Sequence, residues 1–213
     1  MCSGPFGAVY DFYIQRPRFA RLVLGLMWGV DPRPFYRSLE TIGQLPDGAT
    51  VLDVPCGGGV ALRGLRPSQR VTWVGVDIEP AMLSRARRRG ARHPSAEIQL
   101  VEGDMYRLPL EDSTADVCLS YGGLHCLSRP GDALAEMARC LRPGGRLLGS
   151  AFLSEGSRRQ RLLLGNADFG STGSAEDLRE WLHGSGFGDV SVDRCEGLVV
   201  FGARLALESL PIV

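Results

Sequence analysis

From Thr50 onward, short apolar runs rich in β-branched residues alternate with longer segments of helical spacing. Val51 to Val54, Val71 to Val76, Ile98 to Val101, Val117 to Ser120 and Leu147 to Phe152 are apolar nearly throughout rather than at every second position. That is the pattern of strands covered on both faces. Between them, Gly59 to Leu65, Pro80 to Arg89 and Asp132 to Leu141 carry helical spacing, and such alternation predicts right-handed crossovers and a parallel sheet. Pro80 suits the first turn of its helix, whereas Pro143-Gly144-Gly145 stops the next one and turns the chain into a strand.

The pattern then changes. A polar insertion, Arg158 to Asn166 with the glycine-rich Gly165 to Gly173, precedes Ser174-Ala175-Glu176-Asp177, which predicts a helix start running to about His183. Two further strands, near Val190 to Val192 and Leu198 to Leu205, are too close together for a parallel crossover and predict an antiparallel hairpin. At the other end, the first 48 residues hold eight of the sixteen aromatics, among them Tyr10, Phe12, Tyr13 and Phe35. An aromatic helical segment before such a core predicts either a lid over the strand ends or a helix packed on the sheet. The expected fold is α/β: a Rossmann-like, doubly wound, mostly parallel seven-stranded sheet with an antiparallel last strand. Residues 1–48 form an N-terminal helical lid segment and residues 49–213 the ligand-binding domain.

Composition narrows the partners. A chain of 213 residues suits one well-buried domain. Its 24 basic and 24 acidic residues cancel, so no overall field draws it to nucleic acid or an anionic membrane, and neither is expected as a partner. Every basic residue is arginine, which excludes a P-loop lysine and lysine nucleophiles. Six scattered cysteines without a C-x-x-C pair predict reduced thiols in a cytoplasmic protein. The start, Met1-Cys2-Ser3-Gly4-Pro5-Phe6, lacks the form of a secretion signal, and no apolar run reaches membrane-spanning length. His93, His125 and His183 lack ligand spacing, so no metal is expected.

The chemistry concentrates at strand ends. Asp53-Val54-Pro55-Cys56-Gly57-Gly58-Gly59 joins an apolar strand to a turn where backbone N–H groups can approach a ligand unobstructed, and a second strand ends on Asp77, a carboxylate able to accept from both ribose hydroxyls. Asp77-Ile78-Glu79-Pro80-Ala81-Met82-Leu83, Glu102-Gly103-Asp104-Met105, Ala115-Asp116-Val117-Cys118-Leu119-Ser120-Tyr121 and Leu141-Arg142-Pro143-Gly144-Gly145-Arg146 follow in order. In these five motifs the chain resembles the class I S-adenosylmethionine-dependent methyltransferases, in particular the small ubiquinone-methyltransferase-like group, over about residues 45 to 205.

The resemblance implies S-adenosylmethionine as cofactor and roles for individual residues. Asp53 and the Pro55 carbonyl would meet the methionine ammonium, Gly57 and Gly59 would line the turn, and Asp77 would take the ribose, with Ile78 against the adenine. Asp104 and the Met105 N–H would read the adenine edge, while Ser120 and Tyr121 would lie by the methyl; Met82 and Tyr10 complete the candidate cofactor set. Pro55 departs from the family's first turn glycine and removes a donor there.

Methyl transfer from a sulfonium needs alignment and water exclusion, and a base only for some acceptors. His125 is the candidate base, with Tyr121 beside it and Tyr10, Asp11 and Tyr13 next in line. The expected acceptor is a small, partly apolar molecule. Arg85, Arg87, Arg88, Arg89 and Arg92 read as a solvated helix face, and Arg158, Arg159 and Arg161 as cations of the insertion. Two other readings stay open: binding of S-adenosylmethionine without transfer, and an NAD-dependent dehydrogenase, against which Leu62 stands where the dinucleotide fingerprint needs a third glycine or alanine. Oligomeric state is not legible.

Overall fold

The computed structural model describes residues 5–153 and 173–207. The insertion predicted at Arg158 to Asn166, its arginines and nearly all of Gly165 to Gly173 lie outside the described residues. Five parallel strands form the first part of the sheet: β1 (Thr50–Asp53), β2 (Thr72–Asp77), β3 (Glu97–Glu102), β4 (Ala115–Tyr121) and β5 (Leu141–Phe152). The chain then adds β6 (Phe187–Cys195) and β7 (Leu198–Leu205) as a hairpin whose second strand inserts between β5 and β6, for a spatial order β3-β2-β1-β4-β5-β7-β6. β7 is the antiparallel strand. Glu196 and Gly197 both take positive φ in the connecting turn, the geometry that matches strand twist in two-residue hairpins.

Helices α4 (Pro80–Gly90), α5 (Pro130–Cys140) and α6 (Ala175–Gly184) follow β2, β4 and β5. α6 starts at a capping box in which Ser174 and Asp177 satisfy each other's backbone N–H groups. One face of the sheet packs Leu52, Cys118, Leu147 and Phe201 against α5 and α6. The other packs Val51, Trp73, Leu119 and Tyr121 against α1 (Pro5–Ile14), α2 (Pro17–Trp28) and α3 (Arg33–Glu40).

Three expectations need correction. Gly59 to Leu65 is not a helix but a 3₁₀ turn, Ala61–Gly64. Three glycines precede it and Pro67 closes it off, so the segment is too short to repay helix nucleation. A side chain at Gly64 would also collide with the Leu39 carbonyl. β5 begins at Leu141, earlier than its apolar run, because Gly144 at φ 77° and a register shift against β4 accommodate the Pro-Gly-Gly stretch within the strand. Finally, Cys56, Cys118, Cys140 and Cys195 are free thiols as read, but Cys126 is disulfide-bonded.

The 3₁₀ turn that follows α3, Thr41–Gln44, is tied down by a buried amide. Gln69 is 1% exposed; its Nε2 donates to the carbonyls of Ile42 (3.0 Å) and Leu45 (3.1 Å), and its Oε1 accepts from the Arg66 N–H (3.1 Å). Gln69→Leu keeps the approximate volume and removes all three bonds, taking its partner from the Leu45 carbonyl while the Ile42 carbonyl keeps the Leu45 N–H. Urea denaturation should show a loss of about 2–3 kcal/mol, and a change below about 0.5 kcal/mol would refute the anchoring role.

Candidate cofactor and acceptor site

The acidic residues singled out by the sequence converge at one edge of the sheet. Asp53 pairs in register with Gly75 of β2 and Leu119 of β4, and Asp77 with Glu102 of β3, so the carboxylates cap neighbouring strands at their C-terminal ends. Ligands bind at this edge in open α/β sheets. Asp77 Oδ2 accepts from the Gly57 N–H (2.8 Å) and Oδ1 from the Glu79 N–H (2.9 Å). One side chain thus fixes both the glycine turn and the entry to α4. Burial raises the Asp77 pKa, with those backbone bonds opposing the rise.

Asp53 is more deeply placed. It is 1% exposed, and its Oδ2 has no hydrogen-bond partner among the described residues. Burial first and the Asp77 charge second raise its pKa well above the usual carboxylate range. An unpartnered buried carboxylate is costly, and a cation arriving here would relieve it. Gly57 and Gly59 take φ of 51° and 80°, and nothing lies within 4 Å of where a Gly57 side chain would start. The turn is open to a ligand at that point.

Around the acids, Ile78 is 66% exposed beside Asp77, an apolar surface at the strand edge. Asp104 is exposed, its Oδ1 accepting from the Tyr106 N–H (3.0 Å), and Met105 is buried behind it. Pro55 packs directly on Gly123, where any side chain would overlap its ring, with Met105 also at this point. Ser120 Oγ is buried without a partner among the described residues. Met82 is buried on α4.

Two aromatic residues and a histidine frame the end of β4. Tyr121 faces the N-terminal helices: its hydroxyl meets Ser38 Oγ at 2.8 Å and its ring lies edge-on to Phe35 at 5.6 Å. This makes it a bracket between β4 and α3 rather than a group presented to a ligand. Tyr10 stands over Gly122 at the end of β4, next to Gly123, which packs on Pro55. It lines a narrow apolar cleft with Ile14, Leu24, Phe35, Phe152 and Leu198, whose free volume of about 10 Å³ is room for about one water molecule. His125 adjoins this cleft, 4% exposed and edge-on to Phe152 at 5.2 Å. Burial lowers its pKa to about 4, so the imidazole is neutral at physiological pH.

The sequence reading missed a clasp. Asp11 of α1, 5% exposed, accepts from Arg89 Nη1 (2.7 Å) and Nη2 (2.8 Å) and from Arg85 Nη1 (3.1 Å), while Arg89 also donates to the Gly58 carbonyl. A side chain at Gly58 would overlap both Asp11 and Arg89. Burial pushes the Asp11 pKa up, but the arginine bonds outweigh it and hold the carboxyl below its usual range. The supposed solvated arginine face is therefore split: Arg87, Arg88 and Arg92 are exposed, whereas Arg85 and Arg89 turn inward. Their four-residue spacing put them on one side of the helix, but nothing local pointed to an acid so distant in sequence.

Comparisons with known proteins agree with this geometry. Residues 52–149 match the family model described as a methyltransferase domain. The chain is 41% identical over 114 residues to an uncharacterized 37.1 kDa protein of a Streptomyces fradiae transposon, covering 52% of this chain and 32% of that protein. It is 38% identical over 102 residues to a phthiotriol/phenolphthiotriol dimycocerosates methyltransferase of Mycobacterium ulcerans, covering 47% and 36%. The matches thus span about a third of the length of these curated relatives. A solved S-adenosylmethionine-dependent methyltransferase from Thermotoga maritima, described as a possible histamine N-methyltransferase, superposes with a TM-score of 0.66 at 20% identity, covering 93% of this chain and 95% of that one. Residues 52–149 are thus matched as a methyltransferase domain, set in a sheet whose strand order is that of the Rossmann-like methyltransferase fold.

The raised Asp53 pKa carries a pH signature. Between the ordinary carboxylate range and the raised value, the folded protein holds a proton that the unfolded chain has released, so stability falls as pH climbs through that window. Asp77 contributes in the same sense. In the ligand-free protein, Asp53→Asn should flatten much of the decline in Tm as pH climbs above the ordinary carboxylate range and raise Tm at the upper end. Thermal denaturation giving parallel wild-type and variant curves would contradict this.

Proposed function

We propose that this domain binds S-adenosylmethionine across the ends of β1 to β4 and transfers its methyl group to a small, partly apolar acceptor held under the N-terminal helices. The observation that carries the reading is the pair of buried carboxylates Asp53 and Asp77, both with raised pKa and one with an unpartnered oxygen. That arrangement suits a cationic cofactor. The methionine ammonium is the natural partner for Asp53, the ribose diol for Asp77, and the adenine for the exposed Ile78 and the Asp104-Met105 edge.

The same features oppose a dinucleotide. A pyrophosphate requires backbone N–H groups at a helix N-terminus. Here the glycine turn leads into a 3₁₀ turn, with the Asp53 carboxyl beneath it. Calorimetry should show S-adenosylmethionine binding and no heat with NAD, and Asp53→Asn should weaken the former about tenfold or more. Tighter binding of NAD, or no binding of either, would overturn the cofactor assignment.

The bound cofactor supplies an activated methyl. This chain's residues must align the acceptor, exclude water and, for an acidic acceptor, take a proton. Tyr10, Phe35, Phe152 and Leu198 form the apolar walls beside the β4 end, and the methyltransferase relative from Mycobacterium ulcerans, named for phthiotriol substrates, supports an apolar acceptor class. His125, neutral and adjoining this cleft, is the proposed proton acceptor. His125→Ala should lower turnover about 100-fold and leave S-adenosylhomocysteine affinity within about twofold. With the pKa at about 4, wild-type turnover should decline only as pH falls toward that value. An inflection near the ordinary histidine pKa that disappears in the variant would contradict the buried, neutral state. Transfer of labelled methyl into a lipid-soluble extract separates an enzyme from a protein that only binds the cofactor.

A further inference from the structure

The zero net charge of the whole chain conceals a local segregation on α1 and α2. Seven large apolar side chains are exposed among the described residues, and five of them lie on this helical pair: Val9 (61%), Phe12 (54%), Phe19 (42%), Leu22 (55%) and Leu26 (69%). Scattered singly they would mean little, but they are contiguous. Phe12 and Phe19 meet edge-on at 6.2 Å across the helix junction, and at about 100° per residue Leu22, Leu26 and Phe19 share one arc of α2. Arg18 and Arg21 are exposed along one border of that arc, and Arg16 lies over the Phe12 ring at 3.9 Å.

Within α1 and α2 the sole acid is Asp11, buried in its clasp with Arg85 and Arg89, and the nearby Asp31, which feels the charge of Arg21, is itself paired with Arg33. We propose that the α1–α2 pair is a docking surface for anionic lipid, lying flat at the membrane interface with Val9, Phe12, Phe19, Leu22 and Leu26 inserted and Arg16, Arg18 and Arg21 at headgroup level. Apolar side chains bordered by arginine are the composition of interfacial helices, and the charge complementarity selects lipid phosphate over a neutral surface. α2, with 12 residues, is about 18 Å long, and no helix among the described residues is long and apolar enough to cross a membrane. The opposite sides of the same helices supply Ile14 and Leu24 to the apolar cleft. Docking would therefore set the cleft's roof against a store of apolar molecules, a consequence that rests on the proposed acceptor class, whereas the docking itself does not.

The test uses the full chain without cofactor or acceptor, so its outcome is independent of methyl transfer. Co-sedimentation with phosphatidylcholine vesicles containing one-third phosphatidylglycerol should show binding at least about tenfold stronger than with pure phosphatidylcholine, and weakening as salt rises. Phe19→Ser/Leu22→Ser/Leu26→Ser should abolish binding to both vesicles, and Arg18→Gln/Arg21→Gln should erase the preference for anionic lipid. All five positions are exposed, and circular dichroism confirms that each variant is folded. Absence of binding, equal affinity for neutral vesicles, or light-scattering evidence that the apolar face instead holds two copies together, with the serine variant monomeric, would each overturn the proposal.

Discussion

The carboxylate of Asp77 holds together two backbone segments that the rest of the site depends on. By accepting from the N–H groups of Gly57 and Glu79, it sets the glycine turn after β1 and the first turn of α4 in one geometry. α4 then carries Arg85 and Arg89 to Asp11, and Asp11 brings α1 against Gly58. The N-terminal helices are thus referenced to the cofactor turn through a chain of charge-assisted hydrogen bonds, which are stronger than neutral ones. A ligand bridging Asp77 would compete with the backbone for that carboxylate, so cofactor binding and the seating of α1 share a common support.

The sign of the charge at the turn separates this site from its nucleotide-binding cousins. A glycine turn after a strand presents N–H groups in either case, and sequence spacing alone distinguishes the two poorly. What differs is the electrostatic background. A helix dipole beneath the turn favours an anion, whereas a buried carboxylate with no helix behind the turn favours a cation. The short 3₁₀ turn at Ala61–Gly64 follows from the Gly-Gly-Gly start and the Pro67 stop, and the Leu39 carbonyl leaves room only for glycine at position 64. Local breakers thereby contribute to ligand choice.

The parallel strands, α4, α5 and the closing hairpin were legible because each rests on local signals: apolar runs, a proline at a helix start, a connection too short for a crossover. The acids at the ends of β1, β2 and β3 were legible for the same reason. What escaped depends on contacts between positions distant along the chain. Tyr121 reads as a site residue at the end of β4, yet its hydroxyl belongs to Ser38. Arg85 and Arg89 read as surface charges, yet Asp11 claims them. The Cys126 disulfide gave no motif, and zero net charge hid the cationic border of α2 because a sum carries no positions.

The clasp also bears on how an acceptor could enter. The cleft walls come from α1, α2, α3 and the ends of β4, β5 and β7, so the N-terminal helices are part of the cavity rather than a cover laid over a finished one. Tyr36 of α3 holds the end of α1 by its bond to the Ile14 carbonyl, and Gln69 holds the turn after α3 by bonds to the carbonyls of Ile42 and Leu45. α3 is thereby fixed to the core, while α1 is held both by Asp11, whose carboxylate gains its stability from two arginines rather than from burial, and by Ile14, buried in the core with its carbonyl bonded to Tyr36. Ionic contacts reform readily after opening in water, whereas apolar contacts must first expel it again. The wall that α1 supplies therefore combines an ionic contact beside Gly58 with an apolar anchor at Ile14, so its seating answers both to charge at the glycine turn and to packing on α3.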